Sequence, residues 1–97
     1  MQIKISGITY QIVEKSHEEM GGRLGLADFN SQTISINGDY SSQTKMIAKW
    51  HETLHILSNA FNIGLQEEQV VVLTHALVAL LQDNDLIVEN FRSIKDE

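Results

Sequence analysis

A five-residue motif with two histidines carries the clearest chemical signal in this chain: His51-Glu52-Thr53-Leu54-His55. In a helix, residues four apart lie on one face, so His51 and His55 can direct both imidazole rings at one Zn²⁺ ion. Glu52 follows the first histidine, where its carboxylate can hold a metal-bound water and accept its proton. This is the chemistry of metal-assisted peptide-bond hydrolysis. The motif therefore predicts a zinc peptidase site. The competing interpretation is a pair of ordinary histidines at the margin of the helix's apolar face.

A catalytic zinc ion needs a third protein ligand, which leaves the fourth position for water. The apolar segment after the motif offers three candidates, which are Glu67, Glu68 and His75. Glu67 lies beside the apolar face that is expected to contact the motif helix. Acids in a first helical turn also interact favourably with the helix dipole, which explains Glu67 and Glu68 without a metal. His75 is either an alternative ligand, a partner of a ligand, a donor to the oxyanion, or a histidine hydrogen-bonded at the core edge. His17 falls in a polar segment and is expected to be a solvated loop residue.

Two helices are predicted from a helical apolar period. The first spans about 43–61, is capped by Ser41 or Ser42, and presents an apolar stripe: Met46, Ile47, Trp50, Leu54, Leu57 and Phe61. The second spans about 66–82 and presents another stripe: Val70, Leu73, Leu77, Leu80 and Leu81. The rest of the second helix is also apolar. We therefore expect it to be buried on more than one side, or to form a homo-oligomeric contact.

Segments rich in β-branched residues precede these helices. Residues 3–13 predict one strand or a tight hairpin about Ser6-Gly7, and residues 24–29 and 33–37 predict a second hairpin. Strands followed by helices indicate an α+β fold, with an antiparallel sheet of about three strands packed on two helices and zinc between the helices. Residues 1–97 are expected to form one domain, with about 86–97 as a partly ordered tail.

The composition excludes several classes of protein. The chain has 13 acidic residues against 7 Lys or Arg, a net charge of −6, and no cysteine. Disulfides, Cys-ligated zinc and thiol catalysis are therefore excluded. The acidic balance disfavours binding to nucleic-acid phosphates. The sequence contains no run of 18 apolar residues, so no membrane span is predicted. The residues after Met1 do not form the apolar core of a secretory signal peptide, so the expected compartment is the cytoplasm.

Together these residues resemble the ImmA/IrrE-type zinc metallopeptidases, especially the small versions encoded by bacteriophages and prophages of Gram-positive bacteria. The resemblance covers residues 24–29, 33–37, 50–57 and 67–74. In that family the helix after the histidine pair carries a glutamate ligand, with apolar residues at +3 and +6 and a small residue at +7. Glu67 resembles that glutamate ligand in its position, because Val70, Leu73 and Thr74 follow it at +3, +6 and +7. Larger members usually have Ala-Asn where this chain has Val70-Val71.

The resemblance implies a minimal zincin-like metallopeptidase domain. It implies that His51, His55 and Glu67 bind Zn²⁺ and that Glu52 is the general base. It also implies a protein or peptide substrate, such as a phage or mobile-element regulator, in the cytoplasm of a bacterial host.

A function of a different class is a non-catalytic binding or regulatory module of phage origin, with a structural zinc or no metal. A metal that joins two helices would stabilise a chain of this size directly. The two hypotheses differ at Glu52, which only the enzyme requires.

Overall fold

A computed structural model describes residues 1–84, and these begin with a four-stranded sheet; the expected tail at 86–97 lies outside the described residues. The strands are β1 (Gln2–Ile5), β2 (Ile8–Lys15), β3 (Gly25–Asp28) and β4 (Thr33–Asn37), in the spatial order β1-β2-β4-β3. Of the two alternatives for residues 3–13, the hairpin forms, since β1 pairs antiparallel with β2. The second predicted hairpin also forms, since β3 pairs antiparallel with β4. The predicted α+β class is confirmed.

The sheet differs from the expected one in strand number and direction. It has four strands rather than about three, and its two central strands, β2 and β4, run parallel, so the sheet is mixed. The connection after β2 leads first to the outer strand β3, and the chain then returns as β4 beside β2. Local residue patterns identify strands and hairpins, but the pairing of the two hairpins depends on contacts distant in sequence.

Two helices follow: α1 (Ser42–Ala60) and α2 (Glu67–Asp83). Both agree with the predicted bounds to within one residue. Ser41 is the N-cap of α1, and its Oγ accepts a hydrogen bond from the Thr44 backbone N–H at 3.2 Å. Within residues 1–84, neither helix is both long and apolar enough to cross a membrane.

One face of the sheet packs against α1 and forms the core. The core consists of buried side chains from three strands and α1: Ile5, Tyr10, Ile12, Ile34, Ile36, Ala48 and Ile56. Helix α1 also contacts α2, so it is covered on two sides. This explains why its most buried residues include Lys49 and Thr53, which lie outside the predicted stripe. The predicted Trp50 and Leu57 pack at the edge of the core, and Phe61 is exposed.

The buried face of α2 is rotated from the predicted one. Its buried residues are Val70, Thr74 and Val78, whereas Leu73 and Leu80 are exposed. The sequence of α2 is apolar around most of its circumference, so periodicity did not specify which stripe contacts α1. These exposed apolar residues could lie in the expected homo-oligomeric contact through α2, which stays a prediction.

Asn37 is a fully buried polar residue that joins the segment after β2 to the segment after β4. Its Nδ2 donates to the Arg23 carbonyl and to His17 Nδ1, both at 3.0 Å, and its Oδ1 accepts from the Asp39 backbone N–H at 3.0 Å. Because an amide nitrogen only donates, His17 Nδ1 accepts. His17 is exposed, as predicted, but it is tied to this network. The network fixes the backbone that enters β3.

Replacing Asn37 by Ala is expected to lower the free energy of unfolding by about 1–3 kcal/mol, because the Arg23 carbonyl and the Asp39 N–H lose their buried partner. Urea denaturation measures the change. The exposed Asn30 provides the matched control, and Asn30→Ala should change the free energy of unfolding by less than about 0.5 kcal/mol. Equal effects of the two substitutions would contradict the role given to Asn37.

Candidate metal centre

The two histidines of the motif lie side by side on α1. Their Nε2 atoms are 3.2 Å apart, and their ring centroids are 4.9 Å apart in an edge-on arrangement. Both rings are partly buried, with side-chain exposures of 22% for His51 and 33% for His55. The helical spacing of four residues therefore brings the two nitrogens to one point, as the sequence predicted.

Glu67 completes this point from the first turn of α2. Its Oε1 lies 2.8 Å from His51 Nε2 and 3.1 Å from His55 Nε2. The three atoms form a nearly equilateral triangle, which we call the His-His-Glu cluster. Two histidine nitrogens and a carboxylate oxygen converge without repulsion only when a proton or a cation lies between them.

The turn between the helices sets the position of Glu67. The Ser58 carbonyl accepts from the Ile63 N–H at 2.9 Å, and the Ser58 Oγ accepts from the Leu65 N–H at 2.8 Å. Asn62 reverses the chain with φ of 54°, a left-handed conformation that asparagine tolerates better than most residues. Gln69 Oε1 accepts from the Gln66 N–H at 2.8 Å and closes the start of α2. Ser58, three residues after His55, therefore links the end of the motif helix to Glu67, the third member of the cluster.

The geometry of the cluster fits a metal ion. Zinc binds His nitrogen and carboxylate oxygen at about 2.0–2.2 Å, so tetrahedral ligand atoms lie about 3.3 Å from one another. The observed separations of 2.8–3.2 Å come close to this value. His51, His55 and Glu67 can therefore hold a metal ion. The Glu67 side chain is 61% exposed, so the outer side of the cluster is open to solvent.

The structure does not bring the alternative ligands Glu68 and His75 to this point. Within residues 1–84, the His-His-Glu cluster is the group of three metal-ligating side chains that converge. Glu68 and His75 are exposed. Each residue of a helix is rotated by about 100° from the one before, so Glu68 points away when Glu67 faces α1. His17 bonds to Asn37 instead.

Electrostatics favour an ionised Glu67. Desolvation raises its pKa, but the hydrogen bonds and the charges of His55 and His51 together outweigh that effect, and the pKa lies below its ordinary value. Glu67 is therefore a carboxylate at neutral pH, the form that binds metals.

Glu52 has the opposite environment. It is half-buried beneath the edge strand β3, where a Cβ added to Gly25 would lie 3.1 Å from Glu52 Cγ and Oε2. Burial raises the pKa of Glu52 above its ordinary value. The charges of His51 and His55 and a hydrogen bond from the Ala27 backbone oppose that rise only in part. A glycine at position 25 gives the carboxylate its space.

The cluster lies in a cleft made of two pockets that share Glu52 and His55. The first, the Arg23 pocket, has a volume of about 430 Å³; its other lining residues are Arg23, Leu24, Gly25, Ala48, His51 and Glu67. The second, the Phe29 pocket, has a volume of about 530 Å³; its lining includes Leu26, Ala27, Phe29, Asn59, Asn62 and Leu65. Both pockets follow β3, so the cleft extends along the sheet edge on both sides of Glu52.

Sequence reasoning identified the members of the cluster but missed the residues that shape it. Arg23, Gly25 and Ala27 come from β3 and its approach, and Ser58 comes from the last turn of α1. The segment 24–29 was recognised as a strand, yet nothing in its composition indicates that it borders the motif helix. Comparison of the chain with protein-family models, curated proteins and solved structures finds no match.

Removing a ligand is expected to weaken zinc binding at least about 100-fold, more than is typical for loss of an outer-shell partner. The variants Glu67→Gln and His55→Ala are tested by competition against a chromogenic chelator. The chain supplies matched controls in Glu68→Gln and His75→Ala, which should bind one zinc per chain as tightly as the unmodified protein. Weaker binding in the control variants alone would assign the site to Glu68 or His75.

The ionised Glu52 side chain should lower the free energy of unfolding of the metal-free protein. Its pKa is raised on folding, so the folded state holds its proton more tightly and stability falls as pH rises above about 4.5. At neutral pH and in chelator, Glu52→Gln is therefore expected to unfold at a higher urea concentration than the unmodified protein. Below about pH 4 the difference should vanish. A variant of equal or lower stability at neutral pH would show that the carboxylate is not desolvated.

Proposed function

We propose that this chain is a zinc-dependent peptidase that hydrolyses peptide bonds of a protein substrate. The observation that carries the proposal is the convergence of the His-His-Glu cluster with a half-buried glutamate in one cleft. Three ligand residues and a separate carboxylate with a raised pKa are the parts that metal-assisted hydrolysis requires. The resemblance of the sequence to ImmA/IrrE-type peptidases favours the same function.

Zinc is the metal that this set of donors suits best. Two imidazole nitrogens and one carboxylate oxygen form the three-ligand set of many catalytic zinc sites. A bound zinc ion lowers the pKa of a water molecule and polarises the carbonyl of a peptide bond. In this chain His51, His55 and Glu67 would hold the ion.

Glu52 is the general base of the proposed reaction. A base is most effective when its pKa lies close to the working pH, and burial beneath β3 moves the pKa of Glu52 in that direction. In the proposed step its carboxylate accepts a proton from the attacking water. The same carboxyl group then donates that proton to the nitrogen of the leaving amine. Packing against Gly25 of β3 keeps the carboxylate at the sheet edge during these transfers.

Strand β3 offers a docking edge for the substrate backbone. The Leu24 carbonyl accepts from the Asn37 N–H at 2.9 Å, so Leu24 directs its backbone groups toward β4. Backbone groups alternate along an antiparallel strand, which directs those of Gly25 and Ala27 outward, into the cleft. An extended peptide could therefore pair with this edge while its scissile carbonyl lies near Glu52.

The exposure of the cluster favours catalysis over a structural metal. Structural zinc sites are closed by four protein ligands, whereas catalytic sites keep one position open. In the part of the chain that the structure describes, three ligand residues converge and the outermost is mostly exposed. A non-catalytic module with a structural zinc would be expected to bury the fourth position.

The resemblance also extends the proposal to the biological setting. It favours a regulatory protein of a phage or mobile element as the substrate, and the cytoplasm of a bacterial host as the compartment. Neither nucleic acid nor membrane is part of the proposed function.

The substitution Glu52→Gln tests the proposed base. It should lower the hydrolysis rate by about 10²–10⁴-fold, because the amide cannot accept a proton, while one zinc per chain remains bound. Hydrolysis of a denatured protein or peptide mixture is followed by mass spectrometry, with zinc content measured on the same samples. Glu14→Gln is the matched control, since Glu14 is another glutamate on the α1 side of the sheet, paired with Lys45 outside the cluster. Activity equal to that of the unmodified protein would remove Glu52 from the mechanism.

A further inference from the structure

Arg23 gives one end of the cleft a positive charge that the rest of the cleft lacks. It lines the Arg23 pocket together with His51, Glu52 and Glu67, and the residues described as lining the Phe29 pocket include no Lys or Arg. The chain as a whole has a net charge of −6. The cleft therefore differs in charge between its two ends.

No residue of the described chain neutralises this arginine. The ion pairs among residues 1–84 join Lys45 to Glu14 and the two histidines to Glu67, and none involves Arg23. Glu67 is committed to the cluster, and Glu52 lies against Gly25 of β3 without an ion pair to Arg23. Among the described residues, no carboxylate therefore pairs with the guanidinium group of Arg23, which leaves it accessible to a ligand.

The backbone of Arg23 is held in place although its side chain is exposed. Its carbonyl accepts from the fully buried Asn37 at 3.0 Å, and its N–H donates to the Met20 carbonyl at 3.1 Å. A guanidinium group on an anchored backbone presents two parallel N–H donors, which match a carboxylate.

The direction of β3 assigns this end of the cleft to one side of the scissile bond. Arg23 precedes β3, whereas Phe29 follows it. A peptide that pairs with β3 in the more stable antiparallel direction runs from the Phe29 end toward the Arg23 end. Its residues on the C-terminal side of the scissile bond therefore reach the Arg23 pocket.

We propose that Arg23 is a specificity-determining residue that binds a substrate carboxylate on the C-terminal side of the scissile bond. The inference rests on the proposed peptidase function. A bound zinc ion would offset the charges of Glu52 and Glu67, so Arg23 is the positive charge left in this pocket to pair with an acidic substrate group. The carboxylate belongs either to an Asp or Glu side chain or to the C-terminus of the substrate.

The test uses two synthetic decapeptide libraries and the zinc-loaded full chain. One library is randomised, acetylated and C-terminally amidated; the other lacks Asp and Glu but has a free C-terminal carboxylate. Cleavage sites are mapped by mass spectrometry for the unmodified protein, Arg23→Gln and Arg23→Glu. Lys4→Gln, on the opposite edge strand β1, is the control for the loss of one positive charge. Retention of the same libraries on immobilised Glu52→Gln protein, with and without the Arg23 substitutions, measures binding without turnover.

We expect Asp and Glu to be enriched roughly tenfold over Asn and Gln within three residues after the cleaved bond, the size of effect typical of a charge-assisted hydrogen bond. Arg23→Gln should abolish the enrichment, Arg23→Glu should replace it with Lys and Arg, and Lys4→Gln should preserve it. Enrichment of Asp and Glu in the amidated library, without Arg23-dependent cleavage near the end of the second library, assigns the carboxylate to a side chain. Cleavage close to the end of the second library, dependent on Arg23, assigns it to the C-terminus.

The remaining outcomes separate this inference from the proposed function. Cleavage without an Arg23-dependent acidic preference overturns the role of Arg23 and leaves the peptidase intact. No cleavage, but Arg23-dependent retention of acidic peptides, supports the carboxylate site and overturns the peptidase. Neither cleavage nor retention by the zinc-loaded protein overturns both. Dependence on Arg23 also distinguishes this contact from binding of a peptide carboxylate directly to the zinc.

Discussion

The convergence of three electron-pair donors from two helices is the constraint on which the rest of this structure depends. Two imidazole nitrogens and a carboxylate oxygen lie within 3.2 Å of one another, a spacing that needs a cation or shared protons to be favourable. Helix α1 supplies the nitrogens by its own periodicity. The oxygen depends on the turn that Ser58 organises and on the packing of Val70, Thr74 and Val78, which orients α2.

The chain maintains groups in this region that folding alone would not favour. Glu52 is partly desolvated beneath β3. Position 25 is a glycine, so it contributes no side chain to the packing between β3 and α1. Natural proteins tolerate such costs mainly at functional sites. That both of them border the cleft of the His-His-Glu cluster supports a catalytic interpretation more strongly than the motif does alone.

The sequence was informative wherever the determining contacts are local. The motif, the second hairpin and both helices depend on residues at most a few positions apart, and all were predicted closely. For the same reason the helix cap was narrowed to Ser41 or Ser42, and residues 3–13 to one strand or a hairpin. The parallel pairing of β2 with β4 was not, because nothing within either strand specifies its neighbour. Glu67 was favoured over Glu68 by family register, and the structure supplies the physical reason: the face that contains Val70 and Thr74 contacts α1. Gly25 and Ala27 could not be assigned to the site, since their role is to border Glu52, which lies more than twenty residues further along the chain.

The central claim is that His51, His55 and Glu67 together bind one zinc ion and leave a position open. X-ray absorption spectroscopy of the zinc-loaded protein at neutral pH tests it most directly, because it reports the donor atoms and their distances. We expect two imidazole nitrogens at about 2.0–2.1 Å from the zinc, with carboxylate and water oxygens at about 2.0–2.2 Å completing a four-coordinate shell. The Glu67→Gln variant should lose or alter this shell. Zinc bound by four protein ligands, a single imidazole in the shell, or no zinc at all would contradict the account.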